Sequence, residues 1–174
     1  VDCTGATPFW RAAYATDVTA MRLLHSYGAN PDIWTTKLPS RRRNFDAGNP
    51  GARTDNIDAE KELDPSGLPE VPVGGPAVHP IHAASGVGFG TSRVAQQHRS
   101  VPDGWLPAMK YFVEELGVDP NLRDMDGFTP VHHSAARGDN ETIAYLVEQG
   151  ADVTLISRRG QTTADMANSP EQRA

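Results

Sequence analysis

The chain has 174 residues, a formal net charge of −6 and 38% apolar residues, which suits one folded domain with a core. The negative balance of mixed charges gives no reason to expect nucleic-acid binding, and no apolar run is long enough to cross a membrane. The single cysteine excludes an intramolecular disulfide and a cysteine-based zinc site, and periplasmic, secreted and cytoplasmic locations all stay open.

A pattern with a fixed period recurs along the chain. A Thr-Pro-like dipeptide is followed by a Gly-Ala-Asp-like tripeptide, and the spacing from Pro8 to Gly28 equals the spacing from Pro130 to Gly150. The next copy begins at a fixed distance after the glycine, as from Gly117 to Pro130, and the two spacings add to a period of about 33 residues. The copies begin at Gly5-Ala6-Thr7-Pro8, His79-Pro80-Ile81-His82, Gly127-Phe128-Thr129-Pro130-Val131-His132 and Gly160-Gln161-Thr162-Thr163.

These motifs resemble those of the ankyrin-repeat family, which has this period. The resemblance implies an all-α solenoid of stacked helix-turn-helix units with projecting hairpin loops and a long loop insertion. It divides the single domain 1–174 into repeat one (2–34), an insertion (35–76), repeat two (77–123, with an inserted loop at 87–104), repeat three (124–156) and a partial repeat four (157–174).

Capping residues and apolar spacing predict where the helices of each repeat lie. Threonine or histidine before proline suits an N-cap, and a left-handed glycine suits the end of a second helix. Apolar residues at i, i+3 and i+4 predict the buried faces of the second helices. In repeat two this pattern fits only if one extra residue precedes Gly117. The caps are Thr7, His79 and Thr129, the glycines are Gly28, Gly117 and Gly150, and the apolar sets are Met21 with Leu24, Met109 with Phe112 and Val113, and Ile143 with Leu146 and Val147.

The N-terminal face of repeat one is predicted to be aromatic, with Phe9, Trp10 and Tyr14 exposed. A repeat array needs polar outer faces at its ends, and this face is too apolar for that role. We therefore expect the chain to be part of a longer chain or a larger assembly.

The insertion at 35–76 holds much of the chain's glycine and proline and lies where a hairpin tip normally projects. It contains the basic run Arg41, Arg42 and Arg43 and becomes acidic toward Asp64. Two interpretations stay open, a solvated loop and a contact arm for a partner. The second inserted loop begins with a glycine-rich stretch at 86–90, which lacks the Gly-Lys-Ser/Thr of a phosphate-binding loop and is interpreted as a flexible helix exit.

The resemblance also implies a function. The family's usual contact surface consists of the hairpin tips and the inner faces of the first helices. We interpret the chain as a bacterial-style ankyrin scaffold, a non-catalytic module that binds a partner protein through these surfaces and the long insertion. Met125 and Phe128, flanked by arginines, would form a cluster for an acidic partner. The predicted partner-binding residues are Tyr14, Met125, Asp126, Phe128, Arg137, Arg158, Arg159 and Gln161, with Arg41, Arg42 and Arg43 in the insertion.

Two other functions stay open. One is a fixed accessory subunit or segment of a larger complex, which the aromatic end and the insertion favour. The other is a metal-binding protein that uses His79, His82 and His132. The resemblance assigns His82 and His132 instead to hydrogen bonds that tie adjacent repeats. The sequence shows neither a nucleophile–base pair nor a cofactor motif, so we expect no catalysis and no cofactor.

Overall fold

A computed structural model describes residues 4–39, 64–88 and 100–167. These ranges contain α1 (Pro8–Tyr14), α2 (Val18–Ser26), α3 (Pro80–Ser85), α4 (Trp105–Lys110), α5 (Pro130–Arg137), α6 (Asn140–Glu148) and α7 (Thr163–Ala167). A π-helical turn, Tyr111–Glu115, continues α4. Every regular element in the described ranges is helical, apart from an isolated antiparallel bridge between Thr36 and Pro76. The predicted all-α class is confirmed.

The helices stack in two layers. In the first layer α1, α3, α5 and α7 pack one on the next, and in the second layer α4 packs on α6. The layers meet where α1 packs on α2, α3 on α4 and α5 on α6. Helices of about two turns are not stable alone in water, so burial against neighbours stabilises each of them. The result is a short solenoid.

The predicted caps stand at the starts of their helices. The Thr7 hydroxyl accepts the N–H of Trp10 at 3.1 Å, and His79 Nδ1 accepts the N–H of Ile81 at 3.2 Å. These bonds satisfy backbone donors that the first helical turn leaves unpaired. The second helices end at the predicted left-handed glycines, with φ +88° at Gly28, +66° at Gly117 and +91° at Gly150.

The extra residue predicted in repeat two is absorbed by the π-helical turn. The bond that closes this helix runs from Val118 N to Phe112 O at 2.9 Å and spans six residues. The equivalent bonds after α2 and α6 span five residues, from Ala29 N to Leu24 O and from Ala151 N to Leu146 O. A wider turn therefore keeps the buried face of this helix in register with its neighbours.

The expected exposed aromatic face at repeat one is wrong for two of its three members. Phe9 and Trp10 are both 0% exposed. The Phe9 ring meets Phe112 edge to face at 6.1 Å between centroids, and Trp10 Nε1 donates to Val78 O at 3.2 Å. These side chains fill the interface between repeats one and two. Tyr14 is half-buried, and its ring stacks on Trp10 with 5.4 Å between centroids.

The predicted apolar faces of the second helices are largely confirmed. Met21, Met109, Phe112 and Leu146 are buried, but Val147 is 45% exposed, so its assignment to the core is wrong. Because α6 packs on both α4 and α5, the side of α6 that is buried differs from the side that the apolar spacing predicts. The residues that take the place of Val147 are Thr142 and Tyr145.

Candidate protein-interaction surface

The hairpin loops at the starts of the repeats form a connected row. In each case a backbone N–H of one loop donates to a carbonyl of the loop before it. These bonds join Thr36 N to Thr4 O at 2.9 Å, Met125 N to Ala77 O at 2.8 Å and Arg158 N to Asp126 O at 3.0 Å. The row is therefore held together by backbone contacts that do not depend on the side chains it presents.

A buried carboxylate fixes the loop of repeat three. Asp124 is 5% exposed, and its Oδ1 accepts the N–H groups of Asp126 at 3.0 Å and Phe128 at 2.9 Å. Its Oδ2 lies 3.0 Å from His133 Nε2. Burial disfavours the charged carboxylate, but the hydrogen bond and charge of His133 and the Phe128 N–H hold the pKa of Asp124 below its ordinary value. The loop is thus ordered by internal bonds.

The loop of repeat four has an equivalent centre one full period later in the sequence. The Ser157 hydroxyl accepts the N–H groups of Arg159 at 3.3 Å and Gln161 at 3.2 Å, and Ser157 is fully buried. Sequence reasoning missed Asp124 and Ser157. The signal was available, because short polar residues at equivalent positions of a repeat commonly bond their own loop backbone.

Six of the predicted contact residues lie on these two loops, and Arg158 is one of them. Asp126 and Arg159 are exposed at equivalent positions, and three more are half-buried: Met125, Phe128 and Gln161. The Phe128 ring packs against His133 with 5.7 Å between centroids. Partial burial and the neighbouring Asp124 charge raise the pKa of Asp126.

Arg158 is engaged within the chain. Its Nε donates to Met125 O at 2.8 Å, Nη1 to Leu68 O at 3.2 Å and Nη2 to Pro69 O at 2.6 Å, and Nη1 also pairs with the carboxylate of Asp64. The acceptors at 64–69 belong to the end of the long insertion. We call residues 64–69 the arm segment.

Arg137 lies apart from the predicted cluster, at the far end of α5 and about 10 Å along that helix from its start. Its guanidinium donates to Ser85 O at 2.7 Å, stacks 3.7 Å from the centre of the Trp105 ring and pairs with Asp139. These contacts tie repeats two and three together. Tyr14 lies on α1, and the predicted contacts Arg41, Arg42 and Arg43 fall outside the described residues.

The three candidate metal ligands are buried, and each uses a ring nitrogen for a local hydrogen bond. Nε2 of His82 donates to Leu122 O at 2.9 Å, His132 Nδ1 accepts the N–H of Thr129 at 3.2 Å, and Nδ1 of His79 caps α3. Burial lowers the pKa of all three, in His82 to about 4. Within the described ranges no group of three or more His, Cys, Asp or Glu side chains is placed to hold a metal ion.

A cavity of about 140 Å³ lies beside the row, between the loops of repeats two and three. Its lining is mainly apolar and includes the charged residues Lys37, Asp124 and Asp126. The Lys37 ammonium donates to Val71 O at 2.5 Å, which holds the two ends of the insertion near each other. The lining residues are Thr36, Lys37, Leu38, Ala77, Val78, Val87, Asp124, Met125 and Asp126.

Comparisons with known proteins agree on the family. The family model named Ankyrin repeat matches residues 126–158. The chain is 33% identical to protein phosphatase 1 regulatory subunit 12A of Mus musculus over 71 residues, and this alignment covers 41% of this chain and 7% of that protein. It is 35% identical over 72 residues to BCL-6 corepressor-like protein 1 of Homo sapiens, with 41% of this chain and 4% of that protein covered. An ankyrin repeat-containing protein of Schizosaccharomyces pombe is 35% identical over 48 residues, which are 28% of this chain and 23% of the relative.

The chain thus spans only a small part of the relatives it matches. All three are eukaryotic proteins, so they lend no support to the bacterial origin that we expected from the sequence. None of the helices in the described part of the chain is long and apolar enough to cross a membrane. The constant repeat spacing, the two-layered helical stack and the family match at residues 126–158 all support an ankyrin-repeat fold for this chain.

Proposed function

We propose that this chain is a non-catalytic protein-interaction module that holds its partner on the row of hairpin loops and the adjoining faces of the first helices. Ankyrin repeats generally mediate protein–protein interactions, and the fold alone does not identify the partner. The observation that carries the proposal is the ordered row itself. Its loops are bonded to one another and internally, by Asp124 and Ser157, so docking would cost little loop entropy.

The surface that we propose differs from the cluster expected from the sequence. Arg137 is left out, because it binds Ser85 O and Trp105 at the other end of α5. The charges at the tips are balanced, since Asp126 and Arg159 are exposed at equivalent positions. The two exposed tip charges by themselves therefore favour neither an acidic nor a basic partner, and Met125 and Phe128 supply the apolar part of the contact.

The test is quantitative affinity capture with matched variants. Asp126→Ala with Arg159→Ala changes two exposed side chains of the row and leaves the net charge unchanged. The control is Leu23→Ala with Tyr27→Ala, which changes two exposed residues of repeat one that lie on α2 and just after it. We expect the row variant to lose at least about tenfold of each specifically captured protein and the control to lose none. Equal capture by both variants would refute the proposal.

A second candidate is the fixed accessory subunit, and one observation favours it. Leu23 is 58% exposed and Tyr27 is 85% exposed, four residues apart at the end of α2. Residues at this spacing share one helix face, so the two form a small apolar patch in the second layer. If the Leu23→Ala, Tyr27→Ala control rather than the row variant abolishes capture, the accessory role replaces the interaction module.

A further inference from the structure

The arm segment, residues 64–69, lies across the hairpin loops of repeats three and four. A β-carbon on Gly127 would stand 3.4 Å from Leu68 Cδ1, and one on Gly160 would stand 3.4 Å from Pro65 Cγ. The two glycines are one repeat period apart and occupy equivalent loop positions. Both glycines have a positive φ, +82° and +74°, which favours glycine, and Leu68 and Pro65 lie in van der Waals contact with these two positions. The two loops thus form a seat for the arm segment, whose residues 64–67 make a turn closed by the bond from Gly67 N to Asp64 O at 3.4 Å.

Arg158 binds the same segment through its backbone. Two of its nitrogens donate to consecutive carbonyls, Leu68 O at 3.2 Å and Pro69 O at 2.6 Å. The bond from its Nε to Met125 O, at 2.8 Å, fixes the guanidinium on the row. A planar guanidinium with several donors suits this task, which a lysine ammonium would perform less well.

The arm segment also supplies a charge and a restrained backbone. The Asp64 carboxylate pairs with Arg158, and side-chain and backbone hydrogen bonds from Ser66, together with Arg158, lower the pKa of Asp64. Prolines at 65 and 69 fix φ and remove two backbone donors. Pro65 and Ser66 form a turn that is followed by Gly67 at φ +66°, and the carbonyls of Leu68 and Pro69 beyond the turn bind Arg158. The segment therefore has the properties of a peptide ligand held by its own chain.

We infer that the seat formed by Gly127, Gly160 and Arg158 is a recognition site for a peptide that makes a turn after a carboxylate and carries a Leu-Pro pair four residues beyond it. The arm segment occupies this site within the chain, and a partner peptide of the same pattern replaces it. The inference rests on the proposed function and specifies the partner for that surface. It also explains why Arg158, which the sequence predicts to contact an acidic partner, pairs with Asp64 of its own chain.

Occupancy within the chain sets the affinity expected for an outside peptide. A tethered segment acts at an effective concentration on the order of millimolar. A peptide that makes the same contacts must compete with the arm segment. The apparent affinity of the peptide is therefore its intrinsic affinity multiplied by the fraction of time that the site is free. We expect that weakening the arm segment raises the affinity for the peptide at least about tenfold.

The experiment measures binding of a fluorescein-labelled peptide with the sequence of residues 64–71, Asp-Pro-Ser-Gly-Leu-Pro-Glu-Val, by fluorescence anisotropy. The receptors are the full chain, its Asp64→Ala, Leu68→Ala variant, and that variant with Arg158→Ala added. Val73→Ala is the matched control, because Val73 is 61% exposed and lies beyond the arm segment. Leu68→Ala alone replaces the double variant if circular dichroism shows that the latter is unfolded.

We expect the double variant to bind the peptide at least about tenfold more tightly than the full chain does. Adding Arg158→Ala should abolish that gain, and Val73→Ala should match the unchanged chain. Equal affinity of the unchanged chain and the double variant, or no loss with Arg158→Ala, overturns the inference. If the unchanged chain forms a dimer and Leu68→Ala dissociates it, the claim that the arm segment occupies the site of its own chain is overturned. Retained partner capture by the row in any of these cases leaves the proposed function standing.

Discussion

Replacing Asp124 by alanine should destabilise the whole row and not only one loop. The change removes the acceptor for two backbone N–H groups and for His133 Nε2, in a site that is 5% exposed. A buried donor left unsatisfied costs about 1–3 kcal/mol, and water entering the vacated space recovers part of this. We therefore expect a loss of about 3–5 kcal/mol, a large share of the roughly 5–15 kcal/mol typical of a domain.

The matched control for this prediction is Asp126→Ala. This change also removes an aspartate carboxylate, but at an exposed position two residues further along the chain. It should therefore change the free energy of unfolding by less than about 1 kcal/mol. The assay is urea unfolding followed by both tryptophan fluorescence and circular dichroism, since a repeat array need not unfold in one step. If Asp124→Ala costs less than about 1 kcal/mol, or no more than Asp126→Ala, the claim that Asp124 orders the loop is refuted.

Three further outcomes are expected. The pKa of His82 is about 4 in the folded chain, below its ordinary 6.5, so the stability that neutral His82 provides is present above about pH 6.5 and is lost as the pH falls toward 4; His82→Gln should flatten this part of a urea-unfolding pH profile by up to about 3 kcal/mol, and an unchanged profile would contradict the burial argument. Trp10→Phe loses the bond to Val78 O and should cost about 1–3 kcal/mol in the same assay, whereas an exposed Trp10 would tolerate the change. Arg137→Lys loses its stacking on Trp105 and should cost about 1–2 kcal/mol while partner capture stays unchanged, and lost capture at unchanged stability would return Arg137 to the contact surface.

The helical frame follows from local signals in the sequence. Caps such as Thr7 and turns such as Gly28 act within a few residues, so their spacing predicts helix ends without knowledge of the packing. Even the wider turn before Gly117 could be anticipated, because the second helix of repeat two has one residue more than the repeat period allows. A repeat fold favours this kind of reasoning, because most contacts join neighbouring units.

The errors arise where burial depends on which neighbour covers a helix. The predicted exposure of Phe9 and Trp10 treated α1 as an end face, but its packing on α2 and α3 turns both rings inward. Val147 fits the apolar spacing, yet α6 contacts two helices and buries Thr142 and Tyr145 instead. Short helices leave several faces compatible with one pattern, so spacing alone does not choose among them.

The site was harder to predict than the fold. Arg158 and Asp64 are 94 residues apart, and their contact depends on the path of the insertion, which no local pattern specifies. Arg137 was assigned by its position in the repeat, but its partners Ser85 and Trp105 border the second inserted loop. Insertions change the environment of equivalent repeat positions, and a family pattern contains no information about them.

Site-specific photo-cross-linking tests the central claim most directly. A benzoylphenylalanine replaces exposed Arg159 on the row in one sample and exposed Glu148 on α6 in the other. We expect a covalent adduct with a partner protein from position 159 and none from position 148. An adduct with the same partner from position 148 and none from position 159 would contradict the hairpin row as the binding surface.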